Sequence, residues 1–412
     1  MHLRSRQILI NSTLQPATLQ IEGGVIQEIL PFDSSDAPET KSTILPGLVD
    51  THVHINEPGR THWEGFETAT RAAAAGGVTT LIEMPLNSIP ATTTRAAYNQ
   101  KLASTAGKLN VDTGFWAGVV PGNASEIEPL WQAGVFGFKC FLVPSGVDEF
   151  SHVTEKDLEE AMPILASLGA PLLVHAESPS YLPQRPPESE CDAIALMIRL
   201  SRETGARVHI VHLAAIEALP LIEQAQSEGV PITVETCPHY VFFDVFFDEA
   251  GPIPNLLKCA PPIRRGLRAA LSRIGMVVSD HSPSPPEMKT GPYETAWGGI
   301  ASLELGLSAM ATLHNNLADL AKWMSESPAK LAGLNQKGKI AKGYDADLVA
   351  FNPGVSWTVE PDKLHQRHKI TPYAGHELRG RVQATWLRGQ KIYDDGEFAP
   401  VHQGRVLRRA RK

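Results

Sequence analysis

The sequence predicts an α/β fold, namely a (β/α)8 TIM-type barrel with a small β-sandwich domain formed by both chain ends. Strand-like and helix-like segments alternate from residue 44 to residue 337. Parallel strands need crossover helices, so this alternation favours a barrel, with a doubly wound open sheet as the alternative. Both termini are rich in short strands, which predicts a sandwich from residues 1–43 and 338–412 around a barrel of residues 44–337.

The elements follow from local patterns of apolar residues, glycines and turn signals. The eight barrel strands are predicted at 44–54, 78–85, 111–120, 136–142, 170–177, 206–213, 231–240 and 275–282. Helical segments run from Trp63 to Ala75 and from Thr154 to Leu168, and each ends at glycine, the expected helix stop. In the N-terminal region, the Gly23-Gly24 pair between two alternating runs predicts a hairpin.

Composition narrows the classes of function. The net charge of −8 argues against a nucleic-acid partner, and no apolar run approaches the ~20 residues of a membrane span. The start of the chain does not resemble a secretion signal, which predicts a cytoplasmic protein. The four cysteines form no C-x-x-C pair, so we expect neither a cysteine-based zinc site nor a disulfide framework. The basic residues between 405 and 412 are expected to form a solvated, frayed tail.

The chemistry begins in the first predicted barrel strand, which ends with His52 and His54. Alternate residues of a strand point to the same side, so both imidazoles can reach one metal ion. Taken alone, most such pairs are two histidines of the core and not metal ligands. Fifteen histidines is the one compositional excess in the chain, so further ligands are expected at the other strand ends.

Four other residues of ligand type lie on the predicted strands. Lys139 lies on strand 4, and His175, His212 and Asp280 end strands 5, 6 and 8. Each has a plain alternative, such as a core histidine or a loop-capping aspartate. Their shared position favours function, because active sites of such barrels form at the C-terminal strand ends. His209 shares the strand of His212 at odd spacing, so at most one of the two is expected to point inward.

Lys139 lies among Phe136, Phe138, Cys140 and Phe141, where an ammonium ion is poorly solvated. Burial lowers the pKa of a lysine, and the neutral amine can add CO2 to give a carbamate, N6-carboxylysine. This anion could bridge two cations. The alternative is a lysine whose ammonium group reaches the surface. Imidazoles and carboxylates together suit zinc or a similar divalent ion.

These residues resemble the amidohydrolase superfamily, and within its cyclic amidase branch the allantoinases. The resemblance covers nearly the whole chain. It is carried by the segments at 56–67 (NEPGRTHWEGFE), 83–87 (EMPLN), 137–141 (GFKCF), 237–240 (CPHY), 259–264 (CAPPIR), 278–283 (VSDHSP) and 296–301 (AWGGIA).

The resemblance implies a centre of two divalent metals, zinc with cobalt or manganese as alternatives, bridged by carbamylated Lys139. The ligands would be His52, His54, Lys139, His175, His212 and Asp280. Asp280 would also act as general base in hydrolysing allantoin to allantoate, a step of purine-nitrogen breakdown. Asn87 and the backbone at Ala260 are the candidates for binding this small-molecule substrate. A homotetramer is typical of the family.

Single positions separate the related activities. Dihydroorotase-like sequences carry arginine where this chain has Asn56, and hydantoinase-like sequences carry a tyrosine shortly after the metal-binding lysine. Cys140 and Phe141 follow Lys139 here, so a neutral ureido-hydantoin ring is favoured. The alternatives are a hydantoinase, dihydropyrimidinase or dihydroorotase-like amidase, or a non-catalytic scaffold. The segments after His175 and after Arg264 are shorter than usual, and Ser284 replaces a common cysteine.

Overall fold

Strands and helices alternate along the centre of the chain in the computed structural model, which describes residues 1–245 and 254–410. The strands are β1 (His2–Ile10), β2 (Thr13–Glu22), β3 (Val25–Leu30), β4 (Thr43–Pro46), β5 (Leu48–Val53), β6 (Val78–Glu83), β7 (Asp112–Phe115), β8 (Ala117–Gly118), β9 (Phe138–Phe141), β10 (Leu172–His175), β11 (Val208–Ile210), β12 (Ile232–Val234), β13 (Leu348–Thr358), β14 (Glu377–Leu387), β15 (Gln390–Asp394) and β16 (Glu397–Phe398). The helices are α1 (Phe66–Ala75), α2 (Arg95–Ser104), α3 (Ala124–Ala133), α4 (Glu155–Leu168), α5 (Pro187–Thr204), α6 (Leu219–Ser227), α7 (Pro238–Phe242), α8 (Leu271–Ile274), α9 (Gly306–Leu313), α10 (Leu317–Ala321) and α11 (Ser327–Leu331).

The parallel strands close into the predicted barrel. Strands β5, β6 and β7 form one arc, and β8 to β12 form the other. Strands β7 and β8 are two parts of the third barrel strand, on either side of Trp116. The eighth position is held by single parallel bridges, Thr236 to Val277 and Val53 to His281. The (β/α)8 prediction is therefore confirmed.

Strands from both chain ends form one eight-stranded sheet in the order β16-β15-β14-β13-β4-β1-β2-β3. A separate apolar core belongs to this sheet and includes Ile8 and Leu19 from the N-terminal strands and Leu348 and Trp386 from the C-terminal ones. The sandwich made from both termini is thus confirmed. The predicted hairpin is present too, because β2 pairs with β3 across Gly23-Gly24.

The strand predicted over 44–54 is two strands. Residues Thr43–Pro46 pair with β1 and β13 in the terminal sheet, whereas Leu48–Val53 belong to the barrel. The chain passes between the two sheets at Gly47, where an added Cβ would come within 2.4 Å of Thr79 Oγ1. The predicted boundary between residues 43 and 44 therefore falls inside β4.

Helix ends follow the expected local rules. The side chain of Thr154 accepts from the Asp157 amide, and the Asp157 side chain accepts in return, which makes a capping box at the start of α4. The same helix ends at Gly169 in a left-handed conformation. The short segment after Arg264 holds only a 3-10 turn and the four-residue helix α8.

The basic C-terminal segment is docked and not frayed as far as Ala410. Val406 makes a parallel bridge with Thr113, and the Arg409 amide donates to the Gly134 carbonyl at 2.9 Å. The Arg409 guanidinium lies 3.5 Å from the centroid of the Trp131 ring. This part of the prediction was wrong because Val406 and Leu407, within the basic segment, pack against the apolar core, whereas Arg405 and Arg408 reach solvent. Residues 411–412 lie outside the described part of the chain.

None of the helices in the described ranges is both long enough and apolar enough to cross a bilayer.

Candidate metal centre at the C-terminal rim of the barrel

Five of the six predicted ligand residues lie at or just beyond the C-terminal ends of their barrel strands, and Lys139 lies inside its strand. His52 is in β5 and His54 follows it, whereas Lys139 lies in β9 and His175 ends β10. His212 and Asp280 lie just beyond the sixth strand and within the bridged eighth segment. All of these side chains are buried.

Asp280 contacts both histidines of the first strand. Its Oδ1 lies 3.2 Å from His52 Nε2 and 3.4 Å from His54 Nε2. Ligand atoms of His52, His212 and Asp280 all lie within 4.8 Å of one another. The spacing of residues 52 and 54 thus turns both imidazoles toward one carboxylate.

His175 and His212 complete the ring of imidazoles. Their ring centroids are 4.6 Å apart in an edge-to-face arrangement, and His212 lies 5.3 Å from His52. Phe141 stacks on His175 at 4.6 Å. Burial is the largest cause that lowers the pKa of His52, His175 and His212, and so favours neutral imidazoles, the form that binds metals.

Lys139 has no exposed surface and its Nζ has no hydrogen-bond partner among the described residues. The nitrogen lies 4.9 Å from the centroid of the Phe141 ring. Burial lowers the pKa of Lys139 to about 8, although the negative charges of Asp280 and Glu235 oppose this. An amine with such a pKa is partly neutral near neutral pH and can act as a nucleophile.

Glu235 orients two histidines and was missed from the sequence. Its Oε1 lies 2.5 Å from His52 Nδ1, and its Oε2 lies 2.9 Å from His209 Nε2. His209 in turn contacts Thr233 Oγ1 through Nδ1 at 2.7 Å. The expectation that only one of His209 and His212 points inward was wrong. Strand β11 ends at Ile210, and His212 has a φ of 40°, so strand alternation no longer applies to it.

Glu177 has the same role for His175. Its Oε2 lies 2.7 Å from His175 Nε2 and also accepts from Arg185 Nη1. This contact leaves Nδ1 as the ring nitrogen of His175 that is available to a ligand. A carboxylate that fixes a histidine in this way is the usual outer partner of a metal-binding imidazole.

Asp50 joins the first and eighth segments of the barrel. Its Oδ1 accepts from the His52 amide at 3.0 Å and its Oδ2 accepts from the Ser279 amide at 3.1 Å. Burial raises the pKa of Asp50 to about 7. These contacts hold the backbone of His52 against the residue that precedes Asp280.

The backbone is strained at the same rim. Four residues have φ values in the left-handed region that residues other than glycine rarely adopt. They are Asn56, Asn87, His212 and Asp280, with φ values of 67°, 64°, 40° and 44°. Such residues often cluster at functional sites, where surrounding contacts maintain them. A sequence alone gives no signal for this strain at a histidine.

His239 is a further residue at the rim that the sequence analysis did not select. It is buried, and neither of its ring nitrogens has a hydrogen-bond partner in the described part of the chain. It belongs to the segment CPHY, which carried the resemblance, so its motif was the available signal.

The two candidate substrate residues are less well defined. Asn87 is buried, and its carbonyl oxygen accepts from Arg60 Nη1 at 2.7 Å. Ala260 is partly exposed and precedes Pro261, whose carbonyl accepts from the Tyr240 hydroxyl at 2.7 Å. A role for either residue in binding substrate stays a prediction.

The donor set at this rim fits divalent metal ions. It offers imidazole nitrogens, a carboxylate and the Lys139 amine, with buried polar atoms that lack partners in the described ranges, among them Lys139 Nζ, His54 Nδ1 and His212 Nδ1. Unpaired buried polar atoms are costly, and a bound ion or ligand would satisfy them. The fold and rim together define a barrel with a candidate metal centre.

Comparison with known proteins gives the family. The Amidohydrolase family profile matches residues 43–392, and the chain therefore belongs to the amidohydrolase family. An allantoinase of Streptomyces avermitilis is 44% identical over 99% of this chain and 98% of its own length. Allantoinases of Saccharomyces cerevisiae and Escherichia coli are 41% and 37% identical, over 95% and 97% of this chain and 95% and 96% of theirs.

Two solved structures share the fold of this chain. L-hydantoinase (dihydropyrimidinase) from Arthrobacter aurescens superposes with a TM-score of 0.90 at 29% identity, covering 99% of both chains. D-hydantoinase from a Thermus species superposes with a TM-score of 0.88 at 24% identity, covering 99% of this chain and 98% of its own, which shows the shared fold alone.

Proposed function

We propose that this protein hydrolyses the cyclic amide bond of allantoin to give allantoate. The observation that carries the proposal is the sequence identity of 37–44% to allantoinases, over nearly the full length of this chain and of theirs. The convergence of six candidate ligands at one rim supports it, because the chemistry needs a bound cation next to a proton carrier.

His52, His54, Lys139, His175, His212 and Asp280 would hold two divalent ions, with zinc as the first candidate and cobalt or manganese as alternatives. When bound, such ions polarise a carbonyl and lower the pKa of water. Lys139 would contribute as N6-carboxylysine, formed when its neutral amine adds CO2 and releases a proton. The carbamate would supply anionic oxygen ligands that the amine lacks.

Asp280 is the candidate proton carrier. Its carboxylate lies next to His52 and His54. In the proposed reaction it takes a proton from the attacking water and returns it to the ring nitrogen that leaves. Glu235 and Glu177 do not take part in this transfer, but they keep His52 and His175 in one orientation.

Asn56 supports a neutral substrate. Its side-chain nitrogen donates to the Pro283 carbonyl at 3.3 Å, and its Oδ1 has no partner among the described residues. An amide can pair with an N–H of a ureide ring but cannot neutralise a carboxylate. This favours allantoin over dihydroorotate. Asn87 and the backbone at Ala260 remain our candidates for further contacts with the ring.

Hydantoin hydrolysis is the second candidate function. It is favoured by the TM-score of 0.90 and the identity of 29% to L-hydantoinase from Arthrobacter aurescens. Allantoin is a hydantoin that carries a ureido group, so the same centre could open both rings. The difference must then lie in side chains that contact the ureido group.

The deciding experiment measures turnover of allantoin, hydantoin and dihydroorotate by protein reconstituted with zinc, cobalt or manganese. We expect the largest kcat/KM for allantoin. A larger kcat/KM for hydantoin would make the second function the correct one. A purified protein that binds no metal and opens none of the three rings would instead indicate a non-catalytic scaffold.

Other features of the proposal follow from the family and from composition. We infer a homotetramer, a cytoplasmic location and a place in purine-nitrogen breakdown. Light scattering of the purified protein, fractionation of the cells and growth on allantoin as nitrogen source test these three inferences.

A further inference from the structure

A second cluster of ligand-type side chains lies beside the candidate metal centre. Ligand atoms of Cys237, His239 and Asp280 all lie within 4.8 Å of one another, and the three residues are buried. Cys237 and His239 lie at the junction of the seventh barrel strand and helix α7. Asp280 reaches the cluster from the eighth segment, so this carboxylate lies between two groups of possible ligands.

His239 gives a second reason to regard the cluster as a binding site. The residue is only 1% exposed, and neither ring nitrogen has a hydrogen-bond partner in the described part of the chain. Its ring packs on the neighbouring Tyr240 at 4.3 Å between centroids. A neutral imidazole has one donor and one acceptor, and leaving both unsatisfied in the interior is costly.

We propose that Cys237, His239 and Asp280 form an inhibitory site for a soft divalent cation such as Cd²⁺ or excess Zn²⁺. A thiolate, an imidazole and a carboxylate together select such ions over Mg²⁺ or Ca²⁺. An ion at this site engages the carboxylate of Asp280. The inhibition rests on the proposed function, because it assumes that Asp280 carries the proton during hydrolysis.

The binding step is a simple exchange. The cation forms a bond to Cys237 Sγ, and the thiol proton is released to solvent, so the sulfur binds as thiolate. His239 binds through the lone pair of one ring nitrogen and keeps its proton on the other. The thiolate of Cys237 and the carboxylate of Asp280 together neutralise the two positive charges of the ion.

Sulfur separates this site from the candidate catalytic centre. None of the six residues proposed to hold the catalytic ions contains sulfur, so a thiolate-to-metal charge-transfer band reports on a cysteine and not on the catalytic centre, and its loss in C237S assigns it to Cys237. Cys259 is a matched control, because it is also a buried free cysteine but does not belong to the cluster.

The first experiment titrates Cd²⁺ into the metal-loaded protein and follows the ultraviolet thiolate–cadmium band. We expect a saturable band in the wild type and in C259S, and none in C237S. In H239N we expect the affinity for Cd²⁺ to fall by about tenfold or more. A band of equal size in C237S, or its absence from the wild type, would overturn the proposal whether or not the protein hydrolyses allantoin.

The second experiment measures allantoin hydrolysis at rising Cd²⁺ or Zn²⁺. We expect the half-inhibitory concentration to rise by about tenfold or more in C237S, with basal turnover retained, and to stay unchanged in C259S. Equal inhibition of the wild type and C237S would refute the inhibitory role. If C237S does not fold, C237A serves for the same measurement. Loss of allantoin turnover in all proteins, with the cadmium band intact, would reject the proposed function and leave the cation site in place.

Discussion

Lys139 and Lys101 are both completely buried, yet their surroundings differ. Lys101 lies on helix α2 and donates from Nζ to both carboxylate oxygens of Glu83, at 2.9 and 2.7 Å. Lys139 lies inside the barrel, and its Nζ has no hydrogen-bond partner in the described ranges. The ammonium group of Lys101 therefore has hydrogen-bond partners within the protein, and that of Lys139 has none among the described residues.

This difference indicates how to separate structural from functional charges in a buried region. Burial opposes the charge of both lysines and lowers the pKa of each. The Glu83 carboxylate offsets part of that effect for Lys101 and accepts hydrogen bonds from its ammonium group, so Lys101 has a partner within the protein. For Lys139 the missing partner has to come from a ligand or a modification, and the neighbouring imidazoles indicate which kind.

The largest effect is expected from K139M, which replaces the amine by an apolar side chain of similar volume. The methionine at position 139 cannot form a carbamate, so it supplies no oxygen ligand to a cation. Loss of several kcal/mol of transition-state stabilisation corresponds to a fall in kcat/KM for allantoin of about 1000-fold or more. Steady-state kinetics and elemental analysis of bound metal measure the result.

Stability provides the control for K139M. Because no hydrogen bond is lost, the free energy of unfolding of the metal-free protein should change by less than about 1.5 kcal/mol. Full activity in K139M would remove Lys139 from the mechanism. A large loss of stability would mean that Lys139 has a structural partner after all.

The matched variant K101M should have the opposite profile. It leaves Glu83 buried without its partner, which costs about 3–5 kcal/mol in the free energy of unfolding. Hydrolysis by the folded fraction should persist, because Lys101 Nζ donates to Glu83 and, among the described residues, to none of the six candidate ligands. Urea unfolding and kinetics at low temperature measure both properties. The double variant E83Q/K101M should recover stability, and failure to do so would show that charge pairing is not what Lys101 supplies.

Much of the fold could be predicted from the sequence, because local patterns determine it. Eight alternating units predict the barrel, and the paired glycines at 23–24 predict the first hairpin. The break at Gly47 could not be predicted, because it depends on the close approach of Thr79 from another strand. The docking of Val406 against Thr113 is likewise a contact between distant segments.

The candidate site divides in the same way. Residues such as His52 and Asp280 could be found because strand ends converge at one rim of a barrel. Glu235 could not, since a glutamate in a predicted strand gives no signal of the two histidines that it contacts. Neither could the position of His212, because its left-handed backbone falls outside strand periodicity.

Glu235 is intermediate between Lys139, which has no partner among the described residues, and Lys101, whose partner lies outside the candidate site. It is a buried acidic residue whose partners are themselves residues of the site. The variant E235Q keeps the shape but removes the charge beside His52 and His209. We expect metal affinity and kcat/KM to fall by about 10–100-fold. In T233V, which removes only the hydroxyl beyond His209, the decrease should be smaller. Equal effects of the two variants would argue against orientation of His52 by Glu235.

The smallest effect concerns Glu190, which has hydrogen-bond partners although burial still opposes its negative charge. Its carboxylate accepts from the Ala214 and Ala215 amides at 2.9 and 3.1 Å and contacts Arg264. Burial, the largest cause, raises its pKa from 4.5 to about 7. The folded protein thus binds this proton more tightly than the unfolded chain does. The contribution of Glu190 to the free energy of unfolding therefore falls as pH rises from about 4.5 to about 7.

The variant E190Q isolates this contribution, because glutamine does not titrate and can still accept from both amides. The stability of the wild type relative to E190Q should decrease with pH by at most about 1.4 kcal/mol per pH unit in that window, and stay constant above it. Urea unfolding of both proteins between about pH 5 and about pH 8 measures the difference, since all other groups are shared. A difference that does not depend on pH would mean that Arg264 keeps Glu190 ionised throughout.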